Sequence, residues 1–249
     1  MKISNNTILI TGGGSGIGFE TARILSELGN TIILVGRSKE KLETAAGKLN
    51  DVHFVVADVT REQDVDGLVD TIYKKFPRLN VLINNAGHAV IHDVSKSPNG
   101  VTIAREEMET NYFAVLNLTN KLIPLLKSQS ESAIINVSSI VAFAPGLSLP
   151  TYSASKAALH SYTQALRLSL KRDSNVKVFE LMPPFVDTEF AKDFHTVQKV
   201  SPEEVATALV QSLAMDRYEV PVASAEHLYN KFLSQADKAV LALNGLELN

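Results

Sequence analysis

Cysteine is absent from all 249 residues. That excludes a disulfide framework, a thiolate nucleophile and a cysteine-ligated metal, and it fits a cytoplasmic protein. An excess of basic charge is missing too, since 24 lysines and arginines face 27 acidic residues for a formal net charge of −3. Without a basic stretch, the counterion release that drives duplex binding has no source, so nucleic acid is not an expected partner. No run reaches the roughly eighteen apolar residues of a membrane span, and the first apolar run, Ile8 to Ile10, is too short for an export signal. The chain is expected to be soluble, cytoplasmic and free of membrane contacts. Repeats, low-complexity stretches and linker-like breaks are also lacking. With 45 % hydrophobic residues, residues 1–249 are ample for one domain around a sizeable core.

What is present alternates. Short β-branched and apolar runs at Thr7 to Thr11, Thr31 to Val35, His53 to Ala57, Val81 to Asn84, Ala133 to Ser138 and Lys177 to Leu181 are separated by helical patterns. This predicts a doubly wound parallel sheet with crossover helices on both faces, a three-layer α/β/α arrangement of Rossmann type. The least regular stretches, about 88–103 and 186–200, follow strand ends. Ligands sit beyond the carboxyl ends of parallel strands, so both are candidate substrate walls.

The run TGGGSGIG, Thr11 to Gly18, stands between the first strand and a helix expected from Ile17 to Leu28. Glycines let the backbone turn tightly against a phosphate, and a helix N-terminus offers unpaired N–H groups with partial positive charge. Gly13 and Gly18 have the glycine spacing of a P-loop. Phe19 and Glu20 stand where that loop needs lysine and a hydroxyl, so it is rejected. Far along the chain, Tyr152-Ser-Ala-Ser-Lys156 follows a predicted strand that ends at Asn136-Val-Ser-Ser139. If a helix begins near Thr151, Tyr152 and Lys156 lie one turn apart on one face, where a nearby ammonium lowers the phenol pKa. A dinucleotide cradle and a proton donor together suit hydride transfer between a nicotinamide dinucleotide and a carbonyl or alcohol.

From about residue 5 to 190 the chain resembles the short-chain dehydrogenase/reductase family, through TGGGSGIG, Asp58-Val59, Asn84-Asn-Ala-Gly87, Asn111, Ser139, Tyr152, Lys156 and Pro183 to Thr188. NNTILITGGGSGIG, LNVLINNAG and MPPFVDT look most like its DltE-like branch. The resemblance implies a catalytic tetrad. Tyr152 is its general acid/base, Ser139 binds the substrate oxygen, and Ser139 is preferred to Ser138 by the family's spacing to the tyrosine. Asn111 would kink a long helix, about Arg105 to Lys127, and hold a water that passes protons to Lys156. The implied cofactor contacts are Gly12, Ser15, Gly16, Ile17 and Gly18 at the glycine loop and Asp58 with Val59 beside the adenine. Asn85, Ala86 and Gly87 follow the fourth strand, and Pro183, Val186 and Thr188 complete the set with Tyr152 and Lys156.

The end of the second strand bears on cofactor choice. An NAD site usually offers a carboxylate there to the ribose hydroxyls. This chain has Gly36, then Arg37 and Ser38, which could hold a 2′-phosphate, so NADP is favoured over NAD. Arginine can also stack on an adenine. Pro183-Pro184 replaces the family's usual Pro-Gly and stiffens the start of the loop at 186–200. The family's usual ending is missing, replaced by an amphipathic helix expected from Ala225 to Leu243. Apolar residues on several sides of the helices near Met108 to Leu126 and Tyr152 to Leu170 suggest a partner, and the resemblance implies that it is a second copy, a homodimer about a twofold axis; the altered ending argues for a stop at the dimer, with a tetramer the alternative. His88 and His92 are too few to hold a metal. His88 is expected to line a substrate pocket; Phe143, Phe185, Phe190 and Phe194 could form apolar walls beside it, and any of them suits the core as well. A redox-sensing binding protein on the same fold is the alternative, and its usual mark, a damaged tetrad, is absent.

Overall fold

The computed structural model describes residues 1–191 and 198–234. Each expected apolar run forms a strand: β1 (Thr7–Thr11), β2 (Thr31–Gly36), β3 (Val52–Val56), β4 (Leu79–Asn84), β5 (Ser132–Val137) and β6 (Val176–Met182). A seventh strand, β7 (Glu219–Pro221), was not expected. Its three residues are too few for any periodicity to show, and Pro221 is tolerated because β7 is an edge strand. All seven pair in parallel in the order β3-β2-β1-β4-β5-β6-β7.

Alternate residues of each strand point to opposite faces. Ile8 and Ile10 join Leu34, Phe179 and Leu181 in a core with apolar residues of α1 (Gly16–Glu27), α2 (Lys39–Ala46) and α7 (Pro202–Ala214). Leu9 joins Ile33, Leu82, Ile134 and Val178 in a second core with α3 (Glu62–Lys75), α5 (Ala114–Lys127) and α6 (Pro150–Lys171). The sheet thus lies between two helical layers, the three-layer α/β/α fold expected. Each fully buried leucine or isoleucine contributes roughly 1.5–3 kcal/mol, so the two apolar faces hold the sheet in place.

The long helix expected from about Arg105 is interrupted. α4 (Gly100–Met108) passes into a π turn, Glu109–Phe113, before α5 begins, and the fully buried Asn111 sits in the middle of that turn. Such π turns frequently mark functional sites. The C-terminal helix α8 covers Ser224–Ser234, and the rest of the helix expected to reach Leu243 lies outside the described residues. From β1 the sheet grows one way to β2 and β3 and the other way through β4 to β7. The loops after β1 and β4 therefore part, leaving a crevice at the carboxyl ends of the strands.

Candidate active site

That crevice is a cavity of about 820 Å³, a size suited to a cofactor-sized ligand. Its floor is the glycine loop. Gly12 has φ +66°, and a Cβ there would fall 2.9 Å from Asn85 Nδ2. Gly18, in the first turn of α1, packs so closely that a Cβ would meet the Gly12 carbonyl oxygen at 2.5 Å. Asn85 binds this loop to the segment after β4, its Nδ2 donating to Thr11 O at 2.9 Å and Gly12 O at 3.2 Å. Thr11 Oγ1 accepts in return from the N–H groups of Asn85 and Ala86, at 2.9 and 3.0 Å. Ser15 leaves the start of α1 without a side-chain cap, and no acid lies in its first turn. Gly12, Ser15, Gly16 and Ile17 line the cavity, while Gly18 supports them from behind. A dinucleotide pyrophosphate fits this cradle: no side chain obstructs the close approach, and the positive helix end faces it.

At the other end, Ser139 follows β5 and caps a 3-10 turn, Ile140–Ala142, its Oγ accepting from Val141 N–H at 3.3 Å. Its side chain also hydrogen-bonds the Tyr152 phenol. Ser138 also lines the cavity, but its Oγ donates to Leu181 O at 3.4 Å. Pro150 opens α6, placing Tyr152 in its first turn and Lys156 one turn later. Lys156 Nζ lies 5.6 Å from the Tyr152 ring centroid and donates to Val137 O at 2.7 Å. Ser139, Tyr152 and Lys156 all line the cavity. Asn111 lies behind them. Its Nδ2 donates to His88 O at 2.8 Å and Ser155 Oγ at 2.9 Å, and its Oδ1 accepts from His88 N–H at 2.8 Å. Both amide protons are thereby engaged. Gly87 keeps this corner open, since a Cβ there would lie 3.5 Å from Asn111 Oδ1 and 3.9 Å from Lys156 Nζ.

Burial decides the ionisation of this group. It pushes the Tyr152 phenol well above its ordinary value; the Ser139 hydrogen bond opposes this, and the buried Glu107 carboxylate adds to it. The expected lowering by Lys156 is not what the structure shows. Burial acts on the lysine as well and brings it down to about 8, with the Glu180 carboxylate working the other way. An apolar setting penalises the phenolate and the ammonium alike, so each moves toward its neutral form. Burial thus keeps the Tyr152 phenol neutral at neutral pH.

Arg37 lines the far end of the cavity, exposed and, among the described residues, without a hydrogen bond or ion pair. Gly36 ends β2 beside it. Ser38 departs from expectation. It lies outside the cavity lining, and its Oγ caps α2 by accepting from Lys41 N–H at 3.3 Å. Asp58 and Val59 line the cavity, and the Asp58 carboxylate accepts from the N–H and hydroxyl of Thr60 at 3.0 and 2.7 Å. Partial burial raises the Asp58 pKa, but the Thr60 bonds and the charges of Arg37 and Arg61 together hold it below the usual carboxylate range. Pro183, Val186 and Thr188 form the opposite wall. Pro183 O accepts from Ile140 N–H at 3.1 Å, and Val186 pairs with Val200, so the loop is anchored at both ends.

Of the expected apolar walls, Phe185 and Phe190 line the cavity with His88, and the Phe190 ring lies 6.0 Å from that of Tyr152. Phe143 does not. It is buried beneath the 3-10 turn, 4.6 Å from the His160 ring and 4.8 Å from Tyr229, because α8 covers that side. Phe194 lies outside the described residues. His92 is buried with Nδ1 3.2 Å from Val90 O, and no group of three or more metal-ligating side chains exists among the described residues. Sequence reasoning missed Glu107 and Glu180, both fully buried. For Glu180 the signal was visible: a carboxylate inside the apolar strand VKVFELM.

Residues 6–213 match the short chain dehydrogenase family. The chain belongs to that family. It is a dehydrogenase or reductase that works with a nicotinamide dinucleotide. It is 37 % identical, over 99 % of this chain and all of the other, to the uncharacterized oxidoreductase DltE of Bacillus subtilis (strain 168), which places this short-chain dehydrogenase in the DltE-like branch. An uncharacterized oxidoreductase of Staphylococcus aureus (strain USA300) is 31 % identical over 87 % of this chain and 94 % of its own. A short chain dehydrogenase of Burkholderia cenocepacia J2315, solved in complex with NADP, superposes with a TM-score of 0.87 at 29 % identity, covering 98 % of this chain and 99 % of that one. A 3-ketoacyl-(acyl-carrier-protein) reductase of Brucella melitensis, complexed with NADH, gives 0.78 at 28 % identity over 85 % of this chain and 91 % of that one. Among the described residues, no helix is long and apolar enough to cross a membrane.

Proposed function

We propose that this dehydrogenase interconverts a carbonyl and its alcohol with NADP(H), using Tyr152 as the general acid/base. One observation carries the reading: the cavity that runs over the glycine loop ends at Ser139, Tyr152 and Lys156, so the dinucleotide cradle and the proton donor share one space. A bound nicotinamide supplies or accepts the hydride. In the reductive direction the neutral Tyr152 phenol donates its proton to the substrate oxygen. The Ser139 hydroxyl hydrogen-bonds that oxygen and stabilises its developing charge. Lys156, held by Val137 O, places positive charge beside the phenolate as it forms, while Asn111 fixes the loop at His88 and the first turns of α6 through Ser155.

Arg37 favours NADP. Its guanidinium stands at the cavity wall with no hydrogen bond or ion pair among the described residues, no carboxylate ends β2 to compete for the ribose, and a 2′-phosphate suits it. His88, Phe185 and Phe190 make the substrate end partly apolar, which suits small or medium carbonyls. The enzyme is expected to act as one domain and as a homodimer, since Phe113 of the π turn and Leu168 of α6 stand 49 % and 68 % exposed on the helices expected to pair. A panel of aldehydes, ketones and alcohols, followed through NADPH absorbance with NADPH and NADP, tests the activity. Turnover in either direction supports it, and no turnover by protein that binds NADPH favours a sensing role.

A further inference from the structure

The buried Glu180 has no place in the chemistry above, yet it lies beneath that chemistry. It stands on β6 opposite Asn136 of β5, one residue before Leu181, which pairs with Val137. Val137 is the residue whose carbonyl anchors Lys156. Glu180 is wholly buried, and its side chain lies on the α6 side of the sheet, where one oxygen meets His160 Nδ1 at 2.8 Å. The other oxygen has no hydrogen-bond partner. A carboxylate can only accept, so this contact places the imidazole proton on Nδ1. His160 follows Lys156 by one turn of α6, hence both project from the same face of the helix toward β5 and β6. The His160 ring is wedged by the edge of Phe143, which in turn packs on Tyr229 of α8. Its position, and with it the position of the carboxylate, is fixed by packing.

An apolar strand interior is a costly place for a carboxylate unless an opposite charge answers it. The other charged and titratable groups around it are already paired with one another. Arg167 of α6 bonds Val178 O and Glu219 of β7, and Tyr229 of α8 donates to Glu219 at 2.6 Å. Glu107 of α4 acts on Tyr152 rather than on the lysine. Lys156 stands one helical turn before His160 and bonds Val137 O, which lies on β5 opposite the residue next to Glu180; the Glu180 carboxylate raises the lysine's pKa, as it also raises that of the Tyr229 phenol.

We propose that Glu180 is a positioning residue for Lys156: held by His160, its buried negative charge keeps the lysine charged and so sets the pH above which reduction fails. The inference rests on the roles given to Tyr152 and Lys156. Burial alone discharges the ammonium, and the carboxylate resists that loss. Neutralising Glu180 therefore shifts the loss of charge to lower pH. Reduction needs the ammonium beside the forming phenolate, so its basic limb shifts the same way.

The test uses full-length protein labelled with carbon-13 at the lysine Cε, with the Lys156 resonance assigned by its loss in Lys156→Arg. Wild type is expected to titrate near 8. Glu180→Gln is expected to titrate about one pH unit lower, and the basic limb of NADPH-dependent reduction, measured with the best carbonyl of the panel, moves with it. His160→Leu is expected to shift both in the same direction, while His160→Asn, which keeps an N–H toward Glu180, restores the wild-type profile. A folded Glu180→Gln protein whose Lys156 titrates as in wild type overturns the proposal. If Glu180→Gln does not fold, the His160 pair decides, and equal profiles for Leu and Asn overturn it. Tyr152→Phe keeps the two readings apart: full turnover by that variant removes the assigned chemistry, while the lysine titration still reports on Glu180.

Discussion

Tyr152 and Lys156 share one face of α6, the ammonium nitrogen 5.6 Å from the ring centroid, and burial acts on both. It raises the phenol and lowers the amine to about 8. The site thus keeps a charged lysine at neutral pH at a cost to the fold.

That cost sets a first prediction. The folded value of Lys156, about 8, lies below its ordinary value of 10.5. Between those values the unfolded chain binds more protons than the folded one, so this group makes stability rise with pH across the window, and its full penalty holds below about 8. Lys156→Met should therefore abolish turnover and flatten the rise of stability with pH between about 8 and 10.5. Urea denaturation of both proteins across that pH range checks this, and a variant whose stability rises with pH as steeply as that of wild type contradicts it.

The proposed preference for NADP rests on Arg37, which stands exposed at the cavity wall. Arg37→Asp replaces a phosphate partner with a repelling charge. It should weaken NADPH binding by about tenfold or more and leave NADH nearly unchanged, the loss of one charge-assisted contact. Calorimetric titration of both cofactors decides this. Wild type that binds NADH more tightly than NADPH refutes the assignment.

The elements legible in the sequence were those with long or doubly buried patterns. β1, β2 and β4 to β6 show as apolar runs because a parallel sheet is covered on both faces, and the glycine loop shows because only glycine fits at Gly12 and Gly18. β7 does not show, since three residues carry no period. The π turn at Asn111 shows only through the family resemblance, which implies a kink there, because a shift from four- to five-residue hydrogen bonding changes the backbone and leaves no mark in side-chain type. Phe143 is open in the sequence between pocket wall and core, since an aromatic residue after a strand end suits both, and its cover by α8 makes it core. The lysine's effect on the tyrosine was misjudged because spacing gives proximity and says nothing of burial.

Assembly follows from exposed apolar side chains on the helices near the tetrad. Phe113 and Leu168 should be covered by a second copy, so sedimentation at micromolar concentration should show a dimer, and Leu168→Asp should shift it toward monomer. A clean wild-type monomer rules out the pairing. A tight tetramer shows that the C-terminal segment makes contacts of its own.

In the proposed mechanism the Tyr152 phenol moves the substrate proton in a cavity whose dinucleotide grip does not depend on it. Tyr152→Phe removes one oxygen and leaves the ring in place beside Phe190. The decisive measurement is single-turnover NADPH oxidation alongside NADPH affinity on the same preparation. A rate lower by about 10² to 10⁴ is expected, with affinity within about twofold of wild type. Full-rate oxidation by the phenylalanine variant contradicts the mechanism.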